Sequence, residues 1–135
     1  MPSKAQRIAG WILTCLLGLF LIGPSAAGKF VDWPGKAEMM DHMGIKPDLV
    51  PVIGIIEILI TIVFLIPRTS FPGAILITAY LGGAVMTHLR VGEAWFFPII
   101  IGVVMWIALG LRYPEIFSLA FGKSTRKQDS EGITT

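Results

Sequence analysis

Charge and cysteine are both scarce in this chain of 135 residues. Only 15% of the residues are charged and 54% are hydrophobic, with a mean hydropathy of +0.75. A soluble domain carries about 25% charged residues, so this balance indicates a membrane protein. Cys15 is the single cysteine, which excludes an intrachain disulfide and a Cys-x-x-Cys redox pair. The net charge of +2, with no basic cluster interleaved with aromatics, gives no indication of nucleic-acid binding.

The usual catalytic motifs are also absent. The sequence contains no phosphate-binding loop, no nucleophile elbow and no HExxH motif. Its two histidines and one membrane carboxylate lack the dense ligand spacing of a metal site, so we predict no metal.

Four long apolar runs account for most of the chain. A helix needs about 20 apolar residues to cross the hydrocarbon layer, and about 17 is the lower limit. Backbone polar groups cannot stay unpaired in lipid, and the runs do not alternate as barrel strands do, so each is expected to be a helix. The prediction is an all-α integral membrane domain over residues 1–122, a four-transmembrane-helix bundle, followed by a disordered polar tail over residues 123–135. The runs are Ile8–Gly28, Val50–Ile66, Phe71–Leu89 and Trp95–Leu111.

One long connection, from Lys29 to Leu49, separates the first two runs. A short amphipathic helix from about Pro34 to Met43 is expected there, since Gly44 suits a helix end. It would lie on the membrane surface or cover the mouth of the bundle. Pro24 should bend the end of the first helix, because proline removes a hydrogen bond to the carbonyl four residues earlier.

The first run also has features of a signal peptide. Lys4 and Arg7 precede its apolar core, and Ser25-Ala26-Ala27 resembles a cleavage site. An uncleaved helix is the expectation, with cleavage as the alternative.

The distribution of positive charge predicts the orientation. Cytoplasmic segments carry an excess of Lys and Arg, and seven of the 11 such residues lie on the side of the N-terminus. Both termini of this multi-pass membrane protein are therefore expected in the cytoplasm.

Glu57 is the most informative position, because it is the only charge in the second run. At about 1.5 Å per residue from Val50 it lies about 10 Å below the outer boundary of the membrane. A carboxylate at that depth is costly, normally faces the bundle interior and pairs with another group. A ligand-binding or catalytic role and a structural strut between helices are both open.

Other polar residues reach the same depth from different helices. The first helix delivers Lys29 and the third delivers His88 and Arg90, while Tyr80 shares a face with His88. As alternatives, His88 and Arg90 are interfacial anchors, Lys29 reaches lipid headgroups, and Tyr80 is a core residue. Glu57 and His88 are the candidate catalytic residues. The predicted ligand-binding set is Lys29, Glu57, Tyr80, Thr87, His88 and Arg90.

Small residues on two helices predict close helix packing. They are Gly82 and Gly83 on the third helix, with Gly10, Thr14 and Gly18 on the first.

Several motifs resemble those of DoxX-like membrane proteins over about Ile8 to Ile116. They are Gly-Lys-Phe at 28–30, Met-Gly-Ile-Lys-Pro at 43–47, Gly-Ile-Ile-Glu-Ile-Leu at 54–59 and Leu-Gly-Gly-Ala-Val-Met-Thr-His-Leu-Arg-Val-Gly at 81–92. The resemblance implies a small four-helix protein of bacterial membranes. Some relatives are linked to quinone-coupled oxidation of sulfur compounds or to oxidative-stress complexes, which makes quinone a candidate cofactor. The motif positions that carry over are Lys29, Glu57, His88 and Arg90.

Three functions follow as alternatives. The first is binding of a lipophilic molecule, a quinone or isoprenoid, by an oxidoreductase subunit with a membrane partner or a second copy. The second is acid–base catalysis by Glu57 and His88 on a lipid-like substrate, as an isomerase or hydrolase. The third is a structural or assembly role. Membrane lipids are expected partners in each.

Overall fold

The computed structural model describes residues 2–122, in which every regular element is helical. This confirms the all-α class, and the predicted polar tail lies outside the described residues. The elements are α1 (Lys4–Phe20), a π-helical segment (Leu21–Ala27), α2 (Lys36–Met43), α3 (Leu49–Leu65), a 3₁₀ turn (Pro67–Thr69), α4 (Ser70–Arg90), α5 (Phe96–Arg112) and α6 (Glu115–Ala120).

The four apolar helices pack as α1 on α5, α5 on α4 and α4 on α3. Large apolar side chains such as Leu19 and Met86 remain exposed on the outside, as expected for a lipid-facing surface. Two stretches, Lys4–Ala27 and Pro67–Arg90, are long and apolar enough to span a membrane, whereas α3 and α5 are shorter apolar helices. The core shared by the helices consists of Leu17, Leu21, Phe64, Ala74, Ile77, Leu81, Met105, Ala108 and Leu109.

The bundle has two distinct ends. We call the end where α1 begins and α5 ends the terminal end, and the end covered by α2 the α2 end. Ser3 caps α1 at the terminal end through a capping box with Gln6. The 3₁₀ turn between α3 and α4 lies at the same end, since both helices meet there.

The bend predicted at Pro24 is confirmed, and it takes the form of a π-helical segment. Gly23 has a ψ of −105°, far from helical values. Pro24 cannot donate a hydrogen bond, and its ring collides with the preceding turn, so the helix widens there. The displaced segment packs against α3 and so directs the end of α1 towards that helix.

The helix α2 begins at Lys36, two residues later than predicted. Gly35 has a φ of +85°, in the left-handed region, so Pro34 cannot be the first helical residue. The end agrees with the prediction, because Gly44 has a φ of +72° and terminates the helix.

The packing prediction is confirmed for α1 and wrong for α4. A Cβ at Gly10 would lie 2.7 Å from Cγ of Arg112, and one at Gly18 would lie 2.8 Å from Leu65. Gly82 and Gly83 have no neighbour within 4 Å among the described residues. Both face outward, and the close approach on α4 occurs at Gly73, whose Cβ would be 2.4 Å from the Phe64 backbone.

Candidate functional site

An ion pair between Glu57 and Lys29 is the most unusual feature of the α2 end. The Lys29 Nζ lies 2.7 Å from Oε2 of Glu57, whose side chain is only 1% exposed. The hydroxyl of Ser25 donates a hydrogen bond to the other carboxylate oxygen, Oε1. Lys29 also donates to the Ser25 backbone carbonyl at 2.9 Å. We call Ser25, Lys29 and Glu57 the ion-pair cluster.

The bend in α1 and a glycine in α3 place these side chains together. Ser25 lies in the π-helical segment and Lys29 follows it by one turn, so the two side chains project on the same side. Gly54 lies one turn before Glu57, and a Cβ there would be 3.2 Å from Cβ of Lys29 and 2.8 Å from the Phe30 ring. The absence of a side chain at Gly54 therefore lets the chain around Lys29 approach α3.

The surroundings of the carboxylate are otherwise largely apolar. The hydroxyl of Thr61, itself buried, donates to the backbone carbonyl of Glu57 at 2.6 Å. Tyr80 on α4 lies near the Glu57 carboxylate, and no hydrogen bond joins the two side chains within residues 2–122. A charge buried in such a site is tolerated when it is paired and hydrogen-bonded, and Glu57 meets both conditions.

A cavity of about 590 Å³ opens beside the ion-pair cluster. It lies between the chain that follows the π-helical segment, the helix α2 and the start of α3. Lys29 lines this cavity and has a 20% exposed side chain, whereas Glu57 lies behind it. The lining also includes the charged residues Asp32, Lys36, Asp41 and Lys46 and apolar residues such as Met40, Ile45, Val50 and Pro51. One buried carboxylate therefore fixes a cation at the wall of a partly apolar cavity.

The remaining predicted site residues lie elsewhere on α4 and contact backbone carbonyls of α4 or α2. The Thr87 hydroxyl donates to the Gly83 carbonyl, and Nδ1 of the half-buried His88 lies 2.7 Å from the Ala84 carbonyl. Arg90 donates to the Met43 carbonyl at 2.8 Å and so ties the end of α2 to α4. Within residues 2–122, no hydrogen bond or ion pair joins His88 to Glu57. The structure thus pairs Lys29 with Glu57 and places Tyr80 near them. Among the described residues 2–122, Thr87, His88 and Arg90 form no hydrogen bond or ion pair with these three residues.

Ser25 is a member of the cluster that the sequence reading did not identify. The signal available was its spacing of four residues before Lys29, just after a helix-bending proline. A serine in such a run also fits a signal-peptidase site, and only the π-helical geometry shows that its hydroxyl reaches Glu57.

Arg112, at the terminal end, was also missed. The residue is 4% exposed, and its guanidinium carbon lies 3.7 Å from the centre of the Trp11 ring. An arginine at the end of an apolar run is ordinarily a membrane-interface anchor, so its burial had no signature in the sequence.

These features define a helical bundle of the membrane type with a buried lysine–glutamate pair at one end. The model of the DoxX-like family matches residues 12–109, and the chain belongs to this family. The resemblance seen in the sequence is therefore confirmed, and the matched range includes Lys29, Glu57, His88 and Arg90. Searches among curated proteins and among solved structures gave no match.

Proposed function

We propose that this DoxX-like protein binds a lipophilic small molecule with a polar head, a quinone or isoprenoid, in the cavity beside Lys29. In this proposal the four apolar helices span the bacterial inner membrane, with both termini in the cytoplasm. The carrying observation is the position of Lys29, which contacts the buried Glu57 and also lines the cavity.

The chemistry of the lysine favours a ligand with a hydrogen-bond acceptor. An ammonium group has three N–H donors and no acceptor, and Lys29 Nζ contacts Glu57 Oε2 at 2.7 Å, the Ser25 carbonyl at 2.9 Å and the Ser25 hydroxyl at 3.4 Å. The long contact with the Ser25 hydroxyl is the one that a ligand would replace. A quinone carbonyl or an isoprenoid hydroxyl at the cavity wall would accept from the same ammonium group. Met40 and Val50 supply apolar contacts for the body of such a ligand, and the volume is within the usual range of about 300–1,000 Å³.

A quinone ligand would make the protein a subunit of a membrane oxidoreductase. The chain has only the single Cys15, which excludes a dithiol of its own, so electrons would come from a partner protein. The role of the cluster would then be to hold the quinone head at a fixed depth beside a fixed positive charge.

The ligand proposal is tested by purifying the protein in mild detergent and identifying extracted small molecules by mass spectrometry. Wild type should retain an enriched lipophilic species, and Lys29→Met should retain at least about tenfold less, since hydrogen bonds to charged groups contribute about 1.5–3 kcal/mol. Arg68→Met, which replaces an exposed cation at the terminal end, is the matched control and should behave as wild type. Identical bulk lipid in all three preparations would refute the proposal.

A purely structural role for the cluster is the second candidate. The observation that favours it is that both charges are satisfied within the chain, and that they join the end of α1 to α3. In that case Glu57→Gln lowers the melting temperature, and the small molecules that co-purify with the protein are the same as in wild type. The acid–base alternative is less well supported, because the described contacts do not bring His88 to Glu57.

A further inference from the structure

Arg112 is a buried cation at the opposite end of the bundle from the ion-pair cluster. It lies at the end of α5 and contacts α1 and α4. Its Nη1 donates to the Thr14 hydroxyl at 3.3 Å, and its Nη2 donates to the Ser70 hydroxyl at 3.1 Å. The Trp11 ring covers one face of the guanidinium.

No carboxylate of residues 2–122 forms an ion pair with Arg112. Both hydroxyls that it contacts are neutral, and each already donates to a backbone carbonyl of its own region. The guanidinium has five N–H donors, and its buried Nε–H has no acceptor within residues 2–122. A buried charge is costly unless an opposite charge compensates it, so this geometry calls for an anion.

A groove formed by α1 residues shares Trp11 with the Arg112 site and combines cations with an apolar wall. It runs along the outer face of α1, has a volume of about 840 Å³ and includes Trp11, the same residue that stacks on Arg112. The exposed cations Lys4 and Arg7 lie at its terminal end. The rest of its wall is formed mainly by Ile8, Ile12, Leu16 and Leu19.

We propose that the terminal end binds an anionic phospholipid, with Arg112 as the buried cation of the headgroup site. In this proposal an acyl chain lies in the groove along α1, and the phosphate lies beside Lys4 and Arg7. Arg112, which is separated from the groove by the Trp11 ring, adds to the positive potential at the phosphate. Anionic lipid is favoured over zwitterionic lipid because these three cations give the site a net positive charge. The site is independent of the cavity beside Lys29.

Thermal unfolding of the full-length protein in mild detergent, with added lipid, tests this proposal. Phosphatidylglycerol should raise the melting temperature of wild type by several degrees more than phosphatidylcholine. Arg112→Gln should lose at least half of that difference. Arg68→Gln, which removes an exposed cation at the same end, is the matched control and should retain it.

Three other results would overturn the proposal. One is an equal response of wild type to the two lipids, and another is an equal loss in Arg112→Gln and Arg68→Gln. The third is full stabilisation by inorganic phosphate alone, which would indicate a small-anion site.

Two further variants keep the test decisive. Should Arg112→Gln fail to fold, Lys4→Gln/Arg7→Gln replaces exposed residues only, and native mass spectrometry should show at least about threefold less bound phosphatidylglycerol than in wild type. Unchanged binding in that variant contradicts the proposal. Loss of the lipid preference in Asp129→Asn/Glu131→Gln would instead identify the chain's own carboxylates as the counter-ion, and would also overturn it.

Discussion

At the scale of single residues, the buried pair of Lys29 and Glu57 carries the argument for function. Glu57 could be singled out from the sequence because a lone charge in an apolar run must pair or face a cavity. Lys29 could be proposed as its partner from depth alone. Ser25 and Arg112 could not be found in this way. The bend at Pro24 was predicted, but its π-helical form, which brings the Ser25 hydroxyl to Glu57, was not, and no local pattern encodes the burial of Arg112.

Removing one partner of the pair should cost more than removing both. Lys29→Met leaves the Glu57 carboxylate buried and unpaired, so the free energy of unfolding should fall by about 3–5 kcal/mol. The double variant Lys29→Met/Glu57→Leu buries no charge and should recover most of that loss. Unfolding in detergent measures both variants, with Lys46→Met, an exposed lysine of the same cavity, as the control. Additive effects of the two changes would contradict a direct ion pair.

At the scale of elements, the long apolar runs were sufficient to predict α1, α3, α4 and α5. When the π-helical segment is counted with α1, the ends of these helices agree with the predicted ranges to within four residues. The short helices were harder to predict from the sequence. α2 begins late because Gly35 is left-handed, and α6 was not predicted, since six residues leave little periodicity to read.

Pro24 should act on the ion-pair cluster through the bend in α1. Pro24→Ala restores a backbone donor that can bond to Phe20 and favours a straight helix, which would move Ser25 and Lys29 away from Glu57. We therefore expect a lower melting temperature, although alanine is the better helix former. In a Lys29→Met/Glu57→Leu background the same change should have little effect or stabilise. An equal loss in both backgrounds would show that the bend acts independently of the pair.

Two glycines of α4 should respond oppositely to alanine. A Cβ at Gly73 would lie 2.4 Å from the Phe64 backbone, which cannot rotate away, so Gly73→Ala should destabilise the protein by about 1–3 kcal/mol. Gly82→Ala meets open space and should be neutral or stabilising by up to about 1 kcal/mol. Comparison of the two melting temperatures tests the assigned packing of α4 on α3. A destabilised Gly82→Ala would indicate an additional neighbour at that face.

At the scale of the whole molecule, the two ends of the bundle are chemically different. The α2 end has a compensated buried pair beside a cavity, and α2 is held there by Arg90 and by the contact of His42 with Glu93 at 3.4 Å. The terminal end has a buried cation without a carboxylate partner among residues 2–122. Depth along the helices was predictable from the sequence. The pairs of helices that pack together could not be predicted, since four apolar helices of similar composition allow several arrangements.

The central claim is that the cavity beside Lys29 binds a lipophilic molecule with a polar head. Its most direct test is a titration with decylubiquinone that is monitored by the quenching of tryptophan fluorescence. The titration is carried out on purified wild type, Lys29→Met and Arg68→Met. Wild type and Arg68→Met should show the same saturable binding, with affinity reduced at least about tenfold in Lys29→Met. Equal affinity in all three proteins, or quenching that does not saturate in wild type, would contradict the account.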